Sequence, residues 1–510
     1  MSNFPWSTVI VLSPTLAGLP VPLRPPPSGG SKTVRWYTLG VCLPEFLSIT
    51  GVSCYCSGSN NPFIQLKENY DWINIPSGSH WRLGVDGLSM GLILLAGFVT
   101  TPATLAAWPI TRGPRLFYLL MPAMYSGQVG LFASRDISLF FLAWELELIP
   151  VYLPLAPRGG KRRLYAATKF LLYTAGGPIS PPAGAITPGL YAPSPALNFV
   201  GVPSIEPTHP MAPEVASYLS FPIAYAVKLP ILPLHTRLPD THGEAHYSTC
   251  MLLAGVSLKM GGHGLIRINV ELLPRAHPPS APRLAVIGAI QIVYAALVPL
   301  NKRSSKVRIA YSSVSHMGFV PIGIGSVTEI GLRGAILQMI SHGSIGAAPF
   351  FLAGTSCDRT RTHLIGRMGG IAIPMPRMST MFSSFSFASI ALPGMGGFVA
   401  ESTVYPGVVG SRNYSYVLKM IVIVVGSIGT ILTPIHSPSM LRQMFYGYKV
   451  RAIPSAPRTL VDSGPREIFI PLCLLLPMIS MGLYPNLVLS MCQNSIELIL
   501  GRPARGEFLG

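Results

Sequence analysis

The sequence predicts an all-α integral membrane protein of about fourteen transmembrane helices. Three observations carry that reading. First, 49% of the residues are hydrophobic and only 11% are charged, whereas a soluble domain carries about 25% charged residues. Second, apolar runs recur along the whole chain: 90–109, 116–132, 137–155, 285–300 and 468–489 each approach the ~20 residues that cross a bilayer as helix. Third, nothing in the pattern supplies the amphipathic outer helices that would wrap such runs inside a large soluble protein.

A shorter apolar run at 9–19 follows an N-terminus, Met1-Ser-Asn-Phe-Pro-Trp6, with no basic n-region and no Arg/Ser-rich transit segment. It is expected to stay as the first span. The seven cysteines, at 42, 54, 56, 250, 357, 473 and 492, show no paired C-x-x-C spacing, so neither an iron–sulfur cluster nor a zinc site is implied. A formal charge of +18 could signal nucleic acid, but its distribution argues for a membrane. Basic residues crowd alternate loops: Arg24, Lys32 and Arg35; Arg112 and Arg115; Arg158, Lys161, Arg162 and Arg163; Lys302, Arg303, Lys306 and Arg308; Arg359, Arg361, Arg367 and Arg377; Arg442, Lys449, Arg451 and Arg458. The intervening loops are mostly balanced or acidic, which is the positive-inside pattern. An even number of spans then places both termini on the face opposite the basic loops. Two loops break the alternation: Arg237, Asp240 and Glu244 are not net basic where they should be, and Arg267, Glu271, Arg275 and Arg283 are net basic where they should not be.

Ionisable residues inside spans are costly and mark function. Glu145 and Glu147 lie two residues apart, about 200° around a helix, so only one of them can face a shared path. Lys228 stands just before Pro230, which must break its helix. Lys259, His316 and His342 fall in successive later spans. Glu401 follows a second Pro/Gly interruption, Leu392-Pro-Gly-Met-Gly-Gly397. Two interrupted helices, one in each half, point to inverted repeats around an ion site.

These residues carry a resemblance. Ala143-Trp-Glu-Leu-Glu-Leu-Ile-Pro150, Val227-Lys-Leu-Pro230, Leu238-Pro-Asp-Thr-His-Gly-Glu-Ala245, Leu258-Lys-Met260, Ile309-Ala-Tyr-Ser-Ser-Val-Ser-His-Met-Gly318 and Leu392-Pro-Gly394 resemble the antiporter-like membrane subunits of complex I. Stretches such as His246-Tyr-Ser-Thr-Cys250 and Arg442-Gln-Met-Phe-Tyr-Gly-Tyr448 are most similar to the plastid branch. The resemblance implies fourteen helices with two inverted five-helix repeats, spans four to eight and nine to thirteen, each with one broken helix. The expected divisions are N-terminal helices at 1–110, repeats at 111–268 and 280–446, and a C-terminal helix at 466–500. It implies proton transfer by Glu145, Lys228, Lys259, His316, His342 and Glu401, with Glu145 as the carboxylate moving against Lys228. The implied setting is the thylakoid membrane of the chloroplast, in a complex that reduces plastoquinone. NAD(P)H or ferredoxin, iron–sulfur clusters and plastoquinone would all be handled by other subunits, the partners of this chain in the bilayer, and no cofactor or metal by this one. A cation/proton antiporter subunit, built on the same helices, is the alternative.

Departures from the family pattern run in fixed directions. Proline makes up 51 of 510 residues, including Pro154, Pro178, Pro299 and Pro349 where the family has apolar residues inside spans. Arg158 and Arg237 stand for tryptophan, Ser257 and Ser344 for leucine or phenylalanine, and His263 for tyrosine. Each is one C-to-U step in a codon, so the sequence reads as the translation of an unedited organellar transcript. A decaying gene would scatter its changes and would damage the charged series, which is intact.

Overall fold

The computed structural model describes residues 4–23, 31–58, 64–73, 79–111, 113–160, 162–177, 211–446 and 460–504. Nine described helices are long and apolar enough to cross a membrane unaided: Lys32–Cys56, Gly87–Ala106, Pro114–Ala133, Ile137–Pro157, Tyr247–Val270, His277–Asn301, Glu329–Thr360, Tyr416–Tyr446 and Pro465–Leu483. In chain order these are spans 2, 3, 4, 5, 8, 9, 11, 13 and 14. Five rods complete the series. Span 1 is the apolar helix Trp6–Pro22, and span 6 is Arg163–Gly176. Span 7 is Met211–Lys228, broken and resumed as Arg237–Glu244. Span 10 is Ser305–Met317 continued by Phe319–Gly325, and span 12 is Pro376–Ser389 broken before Gly396–Gly410. Fourteen spans result, and a last helix, Asn486–Ala504, folds back on span 3, where Cys492 Sγ donates to the Gly87 carbonyl.

The two five-span sets match in where they break. Spans 7 and 12, each fourth in its set, are interrupted by irregular turns. Spans 5 and 10, each second, have their regular helix interrupted at Glu147 and Gly318. Span 8 stays continuous but is loosened by π-helical turns at Leu253–Ser257 and Leu265–Val270, on either side of Lys259. Such turns leave local carbonyls short of their usual helical donors and occur often at functional sites.

Between spans 2 and 3 lies an antiparallel hairpin, β1 (Gln65–Ile73) and β2 (Ser79–Val85). Glu68 on β1 accepts from the Ser7 and Thr8 N–H groups at the start of span 1, 2.7 and 3.0 Å away. The N-terminus therefore shares a face with this mixed-charge loop, as the alternation of basic loops requires. Asp86 and Asp136 cap spans 3 and 5 on that same face, accepting from Ser89 and Ser138 N–H; a side-chain acceptor here satisfies a donor that the helix start leaves orphaned.

Packing relies on small residues where spans cross. A Cβ added to Gly407 of span 12 would collide with Gly331 of span 11, the close approach that glycine permits in membrane helices. Prolines lie inside many helices, among them Pro102, Pro122, Pro154, Pro222, Pro282, Pro349, Pro406, Pro434 and Pro471. Each removes one ladder donor. Pro178, flagged by its sequence context, lies outside the described residues.

The two anomalous loops are explained by pairing. Asp240 binds Lys169 of span 6 at 2.5 Å, and Glu244 accepts from the Arg162 N–H at 3.1 Å. Arg267 is buried and bound to Asp86 and Glu271. Asp240 and Arg267 are thus matched by charges from neighbouring elements.

Candidate functional site

A line of buried ionisable groups crosses the molecule through both repeats. It begins where span 5 is interrupted. The C-terminal end of Ile137–Leu146 offers carbonyls without intrahelical donors, and Lys228, at the broken end of span 7, fills that gap. Its Nζ donates to the Trp144 carbonyl at 3.1 Å and to Glu147 Oε2 at 2.8 Å. The ammonium sits 4.2 Å from the Trp144 ring centroid, a cation–π contact. Glu147 is further held by Gln128 Nε2 at 2.8 Å and by the Ser257 hydroxyl. Lys228 and Glu147 are 2% and 3% exposed, so neither charge can be met by bulk water, and each depends on the other.

This corrects one expectation. Glu145 and Glu147 do face apart, but the carboxylate paired with Lys228 is Glu147. Glu145 is only half-buried and forms no ion pair among the described residues. The interruption of the helix at Glu147 explains the choice, because it places that side chain at the open turn where Lys228 enters.

Span 8 connects the halves. Ser257 reaches Glu147, Met260 Sδ lies 3.7 Å from Lys228 Nζ, and Lys259 points the other way. Lys259 Nζ binds the Ala254 carbonyl in the π-helical turn behind it and lies 3.0 Å from His342 Nδ1 on span 11. The His342 and His316 rings are 5.8 Å apart. His316 Nδ1 in turn lies 3.0 Å from Glu401 Oε1, across spans 10 and 12. All four residues are buried. Both histidines also border a cavity of about 20 Å³ shared with Arg308, Ser389, His436 and Ser437, room for one water.

Lys228, Lys259, His316, His342 and Glu401 are buried in this series, and the structure adds Glu147 as the carboxylate that Lys228 binds. Sequence reasoning missed Gln128 and Ser257, whose roles are visible only through the carboxylate they hold. It also missed Asp86 and Arg135, which join Arg267 and Glu271 in a buried ionic cluster. The warning for the cluster was the misplaced basic loop. Among the described residues no group of three or more His, Cys, Asp and Glu side chains could hold a metal ion.

Three of the positions that depart from the family pattern are poorly matched to their surroundings. Arg237 is 4% exposed, donates to Thr174 Oγ1 at 2.8 Å and lies 4.7 Å from the Phe170 ring, and among the described residues it has no ion pair. His263 Nδ1 and Ser344 Oγ are buried without partners. Ser257 is the exception, since it binds Glu147.

Interrupted helices in inverted repeats, crossed by a buried line of acids and bases, define a membrane subunit of the antiporter type. The family described as NADH:quinone oxidoreductase/Mrp antiporter, transmembrane, matches residues 134–432. The chain is 65% identical to NAD(P)H-quinone oxidoreductase chain 4, chloroplastic, of Huperzia lucidula, covering 98% of this chain and 99% of that one. It is 62% identical to the protein of the same name from Physcomitrium patens, over 98% and 99%. The fold is shared with a chain in the structure of respiratory complex I from Thermus thermophilus with bound NADH, at 24% identity and a TM-score of 0.85, covering 97% and 99%. It is shared too with a chain of the Mrp complex from Dietzia sp. DQ12-45-1b, at 15% identity and a TM-score of 0.81, covering 98% of each. The chain belongs to the family of chloroplast NAD(P)H-quinone oxidoreductase chain 4 proteins, multi-pass subunits of a complex I-like enzyme.

Proposed function

We propose that this chain translocates protons across the thylakoid membrane as one subunit of a complex that reduces plastoquinone at the expense of NAD(P)H or ferredoxin. The observation that carries the proposal is a pair of buried runs, Glu147–Lys228 in the first repeat and Lys259–His342–His316–Glu401 leading on through the second, with Lys259 and the Met260 that touches Lys228 adjacent on span 8. A buried ammonium is held charged by its carboxylate partner, and it tends to lose its proton when that partner withdraws. Separation of Lys228 from Glu147 would therefore push a proton off Lys228. Lys259 and the two histidines can each accept and release a proton, and Glu401 would receive it at the far end. Electron transfer, with its flavin or ferredoxin chemistry and iron–sulfur clusters, belongs to partner subunits, whose quinone reduction would drive the separation. Lys228→Met tests the proposal: the reconstituted complex should keep quinone reduction but lose proton uptake, and uptake at the wild-type rate would refute it. The antiporter alternative shares the helices, and the 65% identity to chloroplast quinone oxidoreductase chains weighs against it.

We propose also that the working protein differs from this sequence where a C-to-U change would restore an apolar or aromatic residue. The supporting observations are the buried Arg237, which has no ion pair among the described residues, and His263 Nδ1 and Ser344 Oγ, buried there without partners. Peptide mass spectrometry of the assembled complex should find Trp, Tyr and a leucine or phenylalanine there, and Leu at 154. Arginine at 237 and proline at 154 in an active complex would overturn this.

A further inference from the structure

Span 8 carries a second polar line that the transfer path does not use. Lys259, His263, Arg267 and Glu271 recur every four residues, which keeps them along one side of a helix. They lead from the middle of the membrane to the face of the β1–β2 hairpin. Position 263 is 1% exposed, and either the His of this sequence or the Tyr that editing would supply puts a group able to accept and donate a proton between Lys259 and Arg267. A proton arriving on Lys259 therefore has a ladder of polar groups directly out of the first repeat, bypassing His342, His316 and Glu401.

One member of the ladder cannot carry a proton. A guanidinium is always protonated and has no acceptor atom, so transfer stops at Arg267. The structure fixes it there with unusual thoroughness. Its two terminal nitrogens bind Asp86 Oδ1, Glu271 Oε2 at 2.8 Å and Ser89 Oγ at 3.2 Å. Asp86 is itself held 3.3 Å from Arg135 Nη2, and Arg135 Nε donates to the Gly84 carbonyl of β2 at 3.3 Å. Arg267, Asp86, Glu271 and Arg135 are all less than one-tenth exposed. The four charges cancel, which lets the cluster stay ionised and dry, and both of its carboxylates are occupied by arginines. An arginine barring protons from a polar pore is an established device of membrane channels.

We infer that the Arg267–Asp86–Glu271–Arg135 cluster is a proton seal: it closes the hairpin-face end of span 8, so that a proton on Lys259 has to travel sideways to Glu401. The inference rests on the proton-transfer reading of Lys259. It adds the element that such a path needs to be efficient, since a direct exit would dissipate the gradient without work.

The test is passive leak. Purified complex in liposomes is given an imposed pH gradient and no electron donor, so the result does not depend on pumping; donor-driven proton uptake by the wild type, measured separately, judges the transfer reading itself. Arg267→His replaces the block by a group that accepts and releases protons. It should raise leak per complex at least threefold over wild type while quinone reduction persists. Adding Phe at position 263 to that chain, in place of whichever of His or Tyr the assembled complex carries, removes the rung before the block and should return the leak to the wild-type level. Should Arg267→His fail to assemble, Arg267→Lys, which keeps a positive charge in the cluster but can give up its proton, should give a smaller leak that Phe at position 263 again suppresses. Wild-type tightness in the variant that assembles, or a leak that persists when Phe stands at 263, overturns the seal.

Discussion

The two repeats hold their acid–base pairs in the same places with the chemistry exchanged. In the first, the carboxylate Glu147 is on the second span and the base Lys228 on the fourth; in the second, the base His316 is on the second span and the carboxylate Glu401 on the fourth. The environments differ as much as the order. Lys228–Glu147 is enclosed by Trp144, Gln128 and Ser257, whereas His316 adjoins a cavity with His436 and Ser437. A strong ion pair in a dry wall loses much when broken. The histidine–carboxylate pair of the second repeat is less closed in, with a water-sized space beside it.

That contrast can be broken by substitution. The largest effect is expected from Glu147→Gln, which leaves Lys228 buried without its counter-charge, a loss of about 3–5 kcal/mol for a broken buried pair. Proton uptake should fall at least tenfold, and native gels should show less assembled complex. Glu401→Gln should be milder, because an amide can still hydrogen-bond the imidazole, and the net worth of one such bond is about 1 kcal/mol. Assembly should be normal and uptake should drop severalfold. A Glu401→Gln loss of assembly as severe as that of Glu147→Gln would erase the distinction between the pairs. Trp144→Leu removes a cation–π contact worth about 0.5–2 kcal/mol, and uptake assays should show a two- to threefold decrease. Glu145→Gln is expected to lie within experimental scatter of wild type. A greater loss from Glu145→Gln than from Glu147→Gln would mean that the working state pairs Lys228 differently from the structure described.

The choice between those two glutamates shows where sequence reasoning stops. Membrane class, fourteen spans and both irregular breaks were legible because composition, run length and Pro/Gly placement act locally. That Lys228, Lys259, His316, His342 and Glu401 sit buried inside the membrane was legible because charge inside an apolar run is costly wherever the run packs. Which of Glu145 and Glu147 meets Lys228 is not local. It depends on where the second span of the repeat is interrupted, and that is set by Lys228 itself arriving from another helix to cap the open carbonyl of Trp144. The π-helical turns around Lys259 were invisible for the same kind of reason, as nothing in Leu253-Ala-Gly-Val-Ser257 distinguishes them from ordinary helix. Arg267 looked like a stray loop charge until three distant residues, Asp86, Ser89 and Arg135, were seen to close around it.

The hairpin that holds the start of span 1 has a consequence for how the chain is made. Span 1 leaves the ribosome before the partners that hold its start. Its exposed amide groups wait for Glu68, and its flank waits for span 4, where Ser126 Oγ bonds to the Val11 carbonyl. Span 2 meets it earlier, the Tyr37 hydroxyl donating to the Ala17 carbonyl, so a nascent chain stopped before residue 126 should hold span 1 on that side and still present its other side to lipid and to any insertase that shelters it.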